Sequence, residues 1–289
     1  MTNGSTIYER LQQWLDALTR AERQLANVLL ENWPVSGPSS ITSIAMSASV
    51  SPPTVARMAQ KLGFRGFTDF QAALRKELEA QISNPITKHA QWSANVPDTH
   101  IVNRFADAIV QNLHNTLSTI DPNNFDAACD GLADFERKIF IAGGRITHTL
   151  AEYLFLHMQM VRPGVVLIPS SDGAWPHYVI GMVKGDILVL FDVRRYQNDL
   201  PKLAEFVSER GVQVLLITDQ WGSPVSKHAT SKFNCRIEVP SAWDSNVTIM
   251  SLAETMIAEV QTRTWNTTGG HMQDLEHLFD GTKLFRKFQ

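Results

Sequence analysis

The chain is nearly free of cysteine. It has two in 289 residues, Cys129 and Cys235, too few for a disulfide scaffold and without the spacing of a metal site. They read as reduced thiols of a cytoplasmic protein. No run of about 18 apolar residues is present, the length a membrane-crossing helix needs. The opening MTNGSTIYERLQQW lacks the cationic segment and apolar stretch of a secretory leader. The nine histidines show no His-x-x-x-His or Cys clustering, so neither a metal nor a cofactor is expected. A large charge excess is missing too. The formal net charge of -3 leaves any nucleic-acid affinity to depend on specific contacts and dimerisation rather than on a strongly basic patch.

What is present divides the chain. The length allows two domains, and 44% hydrophobic residues suffice for ordinary cores. Residues 1–90 carry nine Lys and Arg against seven Asp and Glu, and the remainder carries 17 against 22. The most informative stretch is SITSIAMSASVSPPTVARMAQKLGFRGFTDF, residues 40–70. Small residues (Ala45, Ser47, Ala48, Ser49) mark a close crossing of two short helices. Pro52 and Pro53 are tolerated only at a helix start, with Ser51 placed to cap it. Val55, Met58 and Leu62 then form an apolar face, while Thr54, Arg57 and Lys61 lie among them. A helix that packs by one face and offers hydroxyl and cationic groups on the other fits a DNA major groove.

Around this segment the apolar period predicts helices over residues 7–18, from a Thr19-x-x-Glu22 capping box to about Asn32, and from Asp69 to about Gln81 with Thr68 as cap. Trp33-Pro34 and Ser36-Gly37-Pro38 stop the second of these. Residues 83–97 hold two prolines and no clean period and read as a linker. Helices follow over 98–120, broken by Asp121-Pro122, and over 124–135. From Lys138 the pattern changes. Strands are predicted at 138–142, 165–168, 187–191, 212–218 and 235–239. Helices lie between them at 147–161, 175–183, 200–210 and, briefly, 223–228. A helix over 247–262 closes the pattern, and Gly269-Gly270 breaks the polar tail that follows. The expectation is an all-α helix-turn-helix domain over 1–82, a linker over 83–97, and a doubly wound α/β three-layer sandwich with a parallel sheet over 98–289.

With head and body in this order, the chain resembles the RpiR family of bacterial transcriptional regulators. In the head the likeness is carried by LTRAERQLANVLLEN and by the LGFRGFTDF corner after the second helix. In the body it is carried by IFIAGGRITHTLAEYL, LLITDQWGSPVSKHA and IEVPSAWDS. The body is similar to a sugar isomerase (SIS) domain, which that family uses to sense a phosphorylated sugar. The resemblance implies a regulator that binds double-stranded operator DNA under control of a small metabolite. A homo-dimer or tetramer would present paired heads to a pseudo-palindromic operator.

The DNA-facing candidates are Ser51, Thr54 and Arg57, with Lys61 and Arg65 placed to touch the backbone. Phe64, Phe67 and Phe70 read as core that locks the helix. In a doubly wound sheet, ligands bind at the carboxyl ends of strands, which singles out three loops. Gly143, Gly144, Arg145 and Thr147 open the first; Ser170, Ser171 and Asp172 form the second. The third is Asp192, Arg194, Arg195 and Tyr196. In SIS domains this third loop usually carries serines and a threonine that wrap a phosphate; here two arginines stand in. Arg145 likewise replaces a small residue, and both departures favour an anionic small-molecule effector. Asp244 and Ser245 are expected to line the same cleft. The alternatives are a SIS-fold sugar-phosphate isomerase, with Glu238 or His228 as base, and a DNA-binding protein whose body only dimerises.

Overall fold

The computed structural model describes residues 6–31, 40–93, 99–171 and 173–285. The stops at Trp33-Pro34 and Ser36-Gly37-Pro38, Asp172, residues 94–98 and the last four residues lie outside it. The chain forms two compact units. One is Met1–Ala108 with Gln220–Lys227 and Glu238–Asp244; the other is Ile109–Asp219 with His228–Ile237 and Ser245–Gln289.

The first unit is built from α1 (Ile7–Trp14), a 3-10 turn (Leu15–Ala17), α2 (Arg20–Glu31), α3 (Ile41–Ser47), α4 (Pro52–Lys61), α5 (Phe67–Ile82) and α6 (Pro85–Ser93). Thr6 and Glu9 make a reciprocal capping box at the start of α1. Before α2 the expected box is half made: Glu22 accepts from the Thr19 N–H at 2.9 Å, and the Thr19 hydroxyl also turns to that carboxylate. The apolar stripes of α1 to α5 meet in one core around Leu11, Leu25, Ile44, Val55, Met58, Phe70 and Leu74. Fully burying each such side chain stabilises the unit by roughly 1.5–3 kcal/mol.

Two expectations are corrected here. Thr68 does not cap α5, which begins at Phe67. The Phe70 N–H closes the first turn on the Gly66 carbonyl, and Asp69 reaches back to the Arg65 N–H. Part of the expected linker is helical, because Pro85 sits at the first helical position, where a proline starts a helix rather than breaking one. Asn84 caps it by accepting from the Thr87 N–H at 2.9 Å. The buried Lys88 ammonium of α6 pairs with Asp244 at 2.6 Å.

Helix α7 (Ile101–Leu117) leads into the second unit. There α8 (Pro122–Ala133), capped by Asp121, precedes β1 (Ile139–Gly143), α9 (His148–Val161), β2 (Val165–Leu167), α10 (Trp175–Val179), β3 (Ile187–Asp192), α11 (Asp199–Glu209), β4 (Gln213–Asp219), β5 (Ser231–Cys235) and α12 (Val247–Thr282). The strands form one parallel sheet in the order β2-β1-β3-β4-β5, with Gly143 opposite Phe191, Asp192 opposite Thr218 and Asp219 opposite Cys235. β3 is buried along its whole length, as a central parallel strand must be. The strand order reverses between β1 and β3, and with crossovers of the usual right hand α9 and α11 fall on opposite faces.

The fifth strand lies four residues before its predicted position at 235–239. β4 ends at Asp219, so pairing stops at Cys235, and the next N–H, that of Arg236, goes to the Thr116 hydroxyl. Ile237 and Val239 are buried outside the ladder. α12 also differs, running through Gly269-Gly270 to Thr282. The Gln261 side-chain amide meets the Met272 sulfur at 3.9 Å. A straight helix would hold those Cα atoms roughly 16 Å apart, so the glycine pair bends the helix instead of ending it. Arg263 of α12 grips α8 through Asp126 and Asp130.

Candidate functional site

In the first unit, α3 and α4 form the helix-turn-helix. Ser40 caps α3 by accepting from the Ser43 N–H at 3.1 Å. Ser49 makes the turn in the left-handed region at φ 51°, and the Val50 N–H closes on the Ala45 carbonyl. Ala45 and Ala48 are buried at the crossing, as their size requires.

Ser51 occupies the cap position of α4, but its side chain caps nothing. Pro52 and Pro53 remove the first two N–H groups, and the third, on Thr54, bonds the Ser51 carbonyl. The Ser51 hydroxyl instead meets the Thr54 hydroxyl at 2.9 Å. Thr54 is buried, 6% exposed, with Arg57 Nη2 at 3.4 Å from its hydroxyl. It therefore braces Ser51 and Arg57 rather than facing solvent.

Ser51, Arg57 and Arg65 are exposed, and Arg65 pairs with Asp69 on the surface. Gln60 is exposed one turn beyond Arg57; its helical offset could have singled it out from the sequence. Phe70 is fully buried, edge-on to Phe64 at 5.3 Å, with Phe67 beside it. Lys61 is engaged at 2.6 Å by Glu22 of α2. Burial raises the pKa of Glu22, but the Lys61 ammonium and the Thr19 N–H and hydroxyl outweigh it and hold the carboxyl below its ordinary range.

In the second unit, the first and third candidate loops come together where the strand order reverses. The Thr147 hydroxyl donates to the Phe191 carbonyl at 2.7 Å, and the Gly144 N–H reaches the same oxygen. The Arg145 N–H donates to Oε1 of Gln197 at 3.1 Å. Gly143 is obligatory here: a Cβ would lie 2.6 Å from the Thr147 carbonyl oxygen and 2.8 Å from the His148 nitrogen, both backbone atoms. Gly143→Ala is expected to destabilise this unit by about 1–3 kcal/mol, the usual cost of overpacking; a denaturant titration measures it.

The Asp192–Tyr196 loop is tied to β4. Asp219, fully buried at the end of that strand, accepts from the Arg194 N–H at 2.5 Å and from the Tyr196 hydroxyl at 2.8 Å. Asp192 and Arg194 are buried. Arg195 stands exposed at the crest of the loop in the left-handed region, φ 66°. Such strain in a residue other than glycine gathers at functional sites. Arg145 is exposed too, and neither guanidinium has a hydrogen-bond or ion-pair partner among the described residues.

Ser170 and Ser171 are exposed beyond β2, with no side-chain hydrogen bond among the described residues. Asp244 is engaged by Lys88, and the Ser245 hydroxyl accepts from the Val247 N–H at the start of α12. Glu238 is exposed past β5, and His228 follows the 3-10 turn Pro224–Lys227. Gln197 and Asp219 escaped the sequence reading. Asp219 did carry a signal, a lone carboxylate closing the buried run LLIT. Gln197 carried none.

Among the described residues no helix is long and apolar enough to cross a membrane, and no group of three or more His, Cys, Asp or Glu gathers to hold a metal.

Comparison with known proteins covers both units. Residues 5–81 match the model of the helix-turn-helix domain of the rpiR family, and residues 132–259 match the SIS domain. The HTH-type transcriptional regulator HexR of Escherichia coli is 25% identical over 261 residues, 88% of this chain and 86% of that protein. The bifunctional protein glk of Paraburkholderia xenovorans is 30% identical over 241 residues; the match takes in 79% of this chain but only 35% of that longer protein. Among solved structures, the sugar isomerase domain of an RpiR transcription factor from Sphaerobacter thermophilus covers 61% of the chain at TM-score 0.57, with 18% identity and 97% of its own length matched. The Vibrio vulnificus NanR protein, solved with ManNAc-6P, covers 97% at TM-score 0.55, with 17% identity and 99% of its own length matched.

Proposed function

The chain belongs to the RpiR family, an rpiR-type helix-turn-helix domain followed by a SIS domain, and we propose that it is a DNA-binding transcriptional regulator answering to an anionic sugar derivative. The observation that carries this reading is the division of α4. Val55, Met58 and Ala59 are fully buried, while Ser51, Arg57 and Gln60 are exposed on the other side. A helix so divided has its packing complete and its polar groups available to base edges and phosphates. On this reading residues 1–82 are the DNA-reading head, and 98–289 the effector-sensing and oligomerising body. Residues 83–97, α6 included, join them.

The effector class follows from the crevice between β1 and β3. Two guanidinium groups without a partner among the described residues, Arg145 and Arg195, flank the point where doubly wound sheets bind ligands. Guanidinium suits phosphate or carboxylate equally. The ManNAc-6P held by the NanR relative makes a sugar phosphate the first class to try. Arg194 is buried and Arg195 exposed at the crest of the loop, so Arg195 is the first of the two candidate ligand arginines to test. The body acts by binding and not by turnover.

The test is enrichment of duplexes from a random-sequence pool by the full chain, then release of the enriched duplex by a panel of sugar phosphates and sugar acids. Arg195→Ala is expected to leave duplex binding intact and to weaken the releasing compound by about tenfold or more, the value of one charge-assisted contact. Enrichment without release by any member would reduce the body to an oligomerisation module. Turnover of a sugar phosphate would establish the isomerase instead.

A further inference from the structure

The recognition helix α4 is held from outside by long polar side chains of α1 and α2. At its amino end, Gln24 of α2 donates to the Ala48 carbonyl in the turn, at 2.9 Å. At its carboxyl end, Arg10 of α1 donates to the Leu62 carbonyl at 3.1 Å and lies over the Phe64 ring. Beside it, one oxygen of Glu22 takes the Lys61 ammonium at 2.6 Å together with the Thr19 N–H and hydroxyl. The Glu22 side chain is 5% exposed, so it cannot reach DNA, while that of Lys61 is 38% exposed. A carboxylate so buried and so bonded has one geometry, and it ties the start of α2 to the end of α4.

We propose that Glu22 is a positioning residue for DNA reading: through Lys61 it sets the pose of α4, and Lys61 uses its charge on that strut rather than on a phosphate. Gln24 and Arg10 complete the mount. The inference rests on the reading of the head as a DNA-binding domain. It departs from the sequence expectation, in which Lys61 touches the DNA backbone.

Salt dependence separates the two roles. A lysine on a phosphate releases a counterion, so its loss flattens the plot of log affinity against log salt by about 0.9. A strut lowers affinity at every salt concentration and leaves the slope alone. The experiment uses the full chain, a labelled duplex enriched by the wild type, and fluorescence anisotropy across a salt series. Lys61→Met and Glu22→Gln are each expected to cost roughly tenfold in affinity, about 1.4 kcal/mol, with the slope unchanged. The double variant should cost no more than either single change, because the two residues act as a unit. Lys61→Arg, which keeps a cation for Glu22, should restore most of the loss.

A flattened slope for Lys61→Met overturns the proposal, and so does full affinity in Glu22→Gln. Should Glu22→Gln fail to fold, Lys61→Met alone decides through its slope, since the lysine is partly exposed. A wild-type chain that enriches no duplex refutes the DNA reading itself, and the mount with it.

Discussion

Arg162→Met is expected to destabilise the second unit by about 3–5 kcal/mol, because several carbonyls lose a charged donor at once and each such hydrogen bond is worth roughly 1.5–3 kcal/mol. Arg162 is 1% exposed. It follows α9 and closes the carboxyl end of α8, donating from Nη1 to the carbonyls of Leu132 and Asp134, each at 2.7 Å. Its Nε donates to the Pro163 carbonyl at 3.1 Å, and its Nη2 to the Arg137 carbonyl. The guanidinium also lies over the Phe135 ring, 5.1 Å from the centroid. The last carbonyls of a helix have no partner within the helix; that of Leu132 is buried and those of Asp134 and Arg137 are half-buried, so losing the arginine leaves them poorly paired.

Methionine keeps the length of the stem and removes every donor. The loss is therefore that of the hydrogen bonds, with little change in packing. A unit of this size loses about 2–4 °C per kcal/mol, so a thermal melt should fall by roughly 10 °C. A fall of only a degree or two would mean that water or a neighbouring side chain takes over the carbonyls.

Arg57→Ala is expected to abolish preference for the enriched duplex while sparing most non-specific binding. Arg57 is exposed on α4, in its second turn, with Thr54 bracing one end of its guanidinium. A guanidinium at that place on a recognition helix can bond O6 and N7 of a guanine together, and such a pair is worth about 1–3 kcal/mol of discrimination. That is roughly ten- to a hundredfold in affinity for the enriched duplex. Competition between the enriched and a scrambled duplex at fixed salt measures it. An equal loss on both duplexes, with a flatter salt dependence, would assign Arg57 to a phosphate.

Much of this architecture was legible in the linear chain. The helix-turn-helix lies where its small residues and paired prolines place it, because those residues act within a turn or two of themselves. The alternation of apolar runs with helical periods locates four of the five strands to within a residue or two. Two of the misses share a cause, a partner distant in sequence. The fifth strand was set by where β4 stops offering partners. Gly269-Gly270 reads as a break because glycine weakens a helix locally, while the bent helix brings together Gln261 and Met272, eleven positions apart on either side of the pair. The helix inside the expected linker is different: its start, Asn84-Pro85, is a local signal that the lack of a clean apolar period masks.

The candidate sites divide in the same way. The sequence by itself determined which helix offers a polar face and which loops follow the strands, since burial pattern and chain direction are local properties. Only the tertiary structure decided what each charged side chain does. Lys61 meets Glu22 from 39 residues away, Asp219 collects Arg194 and Tyr196 from the loop after the neighbouring strand β3, and Lys88 meets Asp244 across 156 positions. Periodicity says that a residue is on the surface or in the core. It carries no information about which distant oppositely charged group the fold will bring within 3 Å, and that partner settles whether a cation is free for a ligand or already engaged.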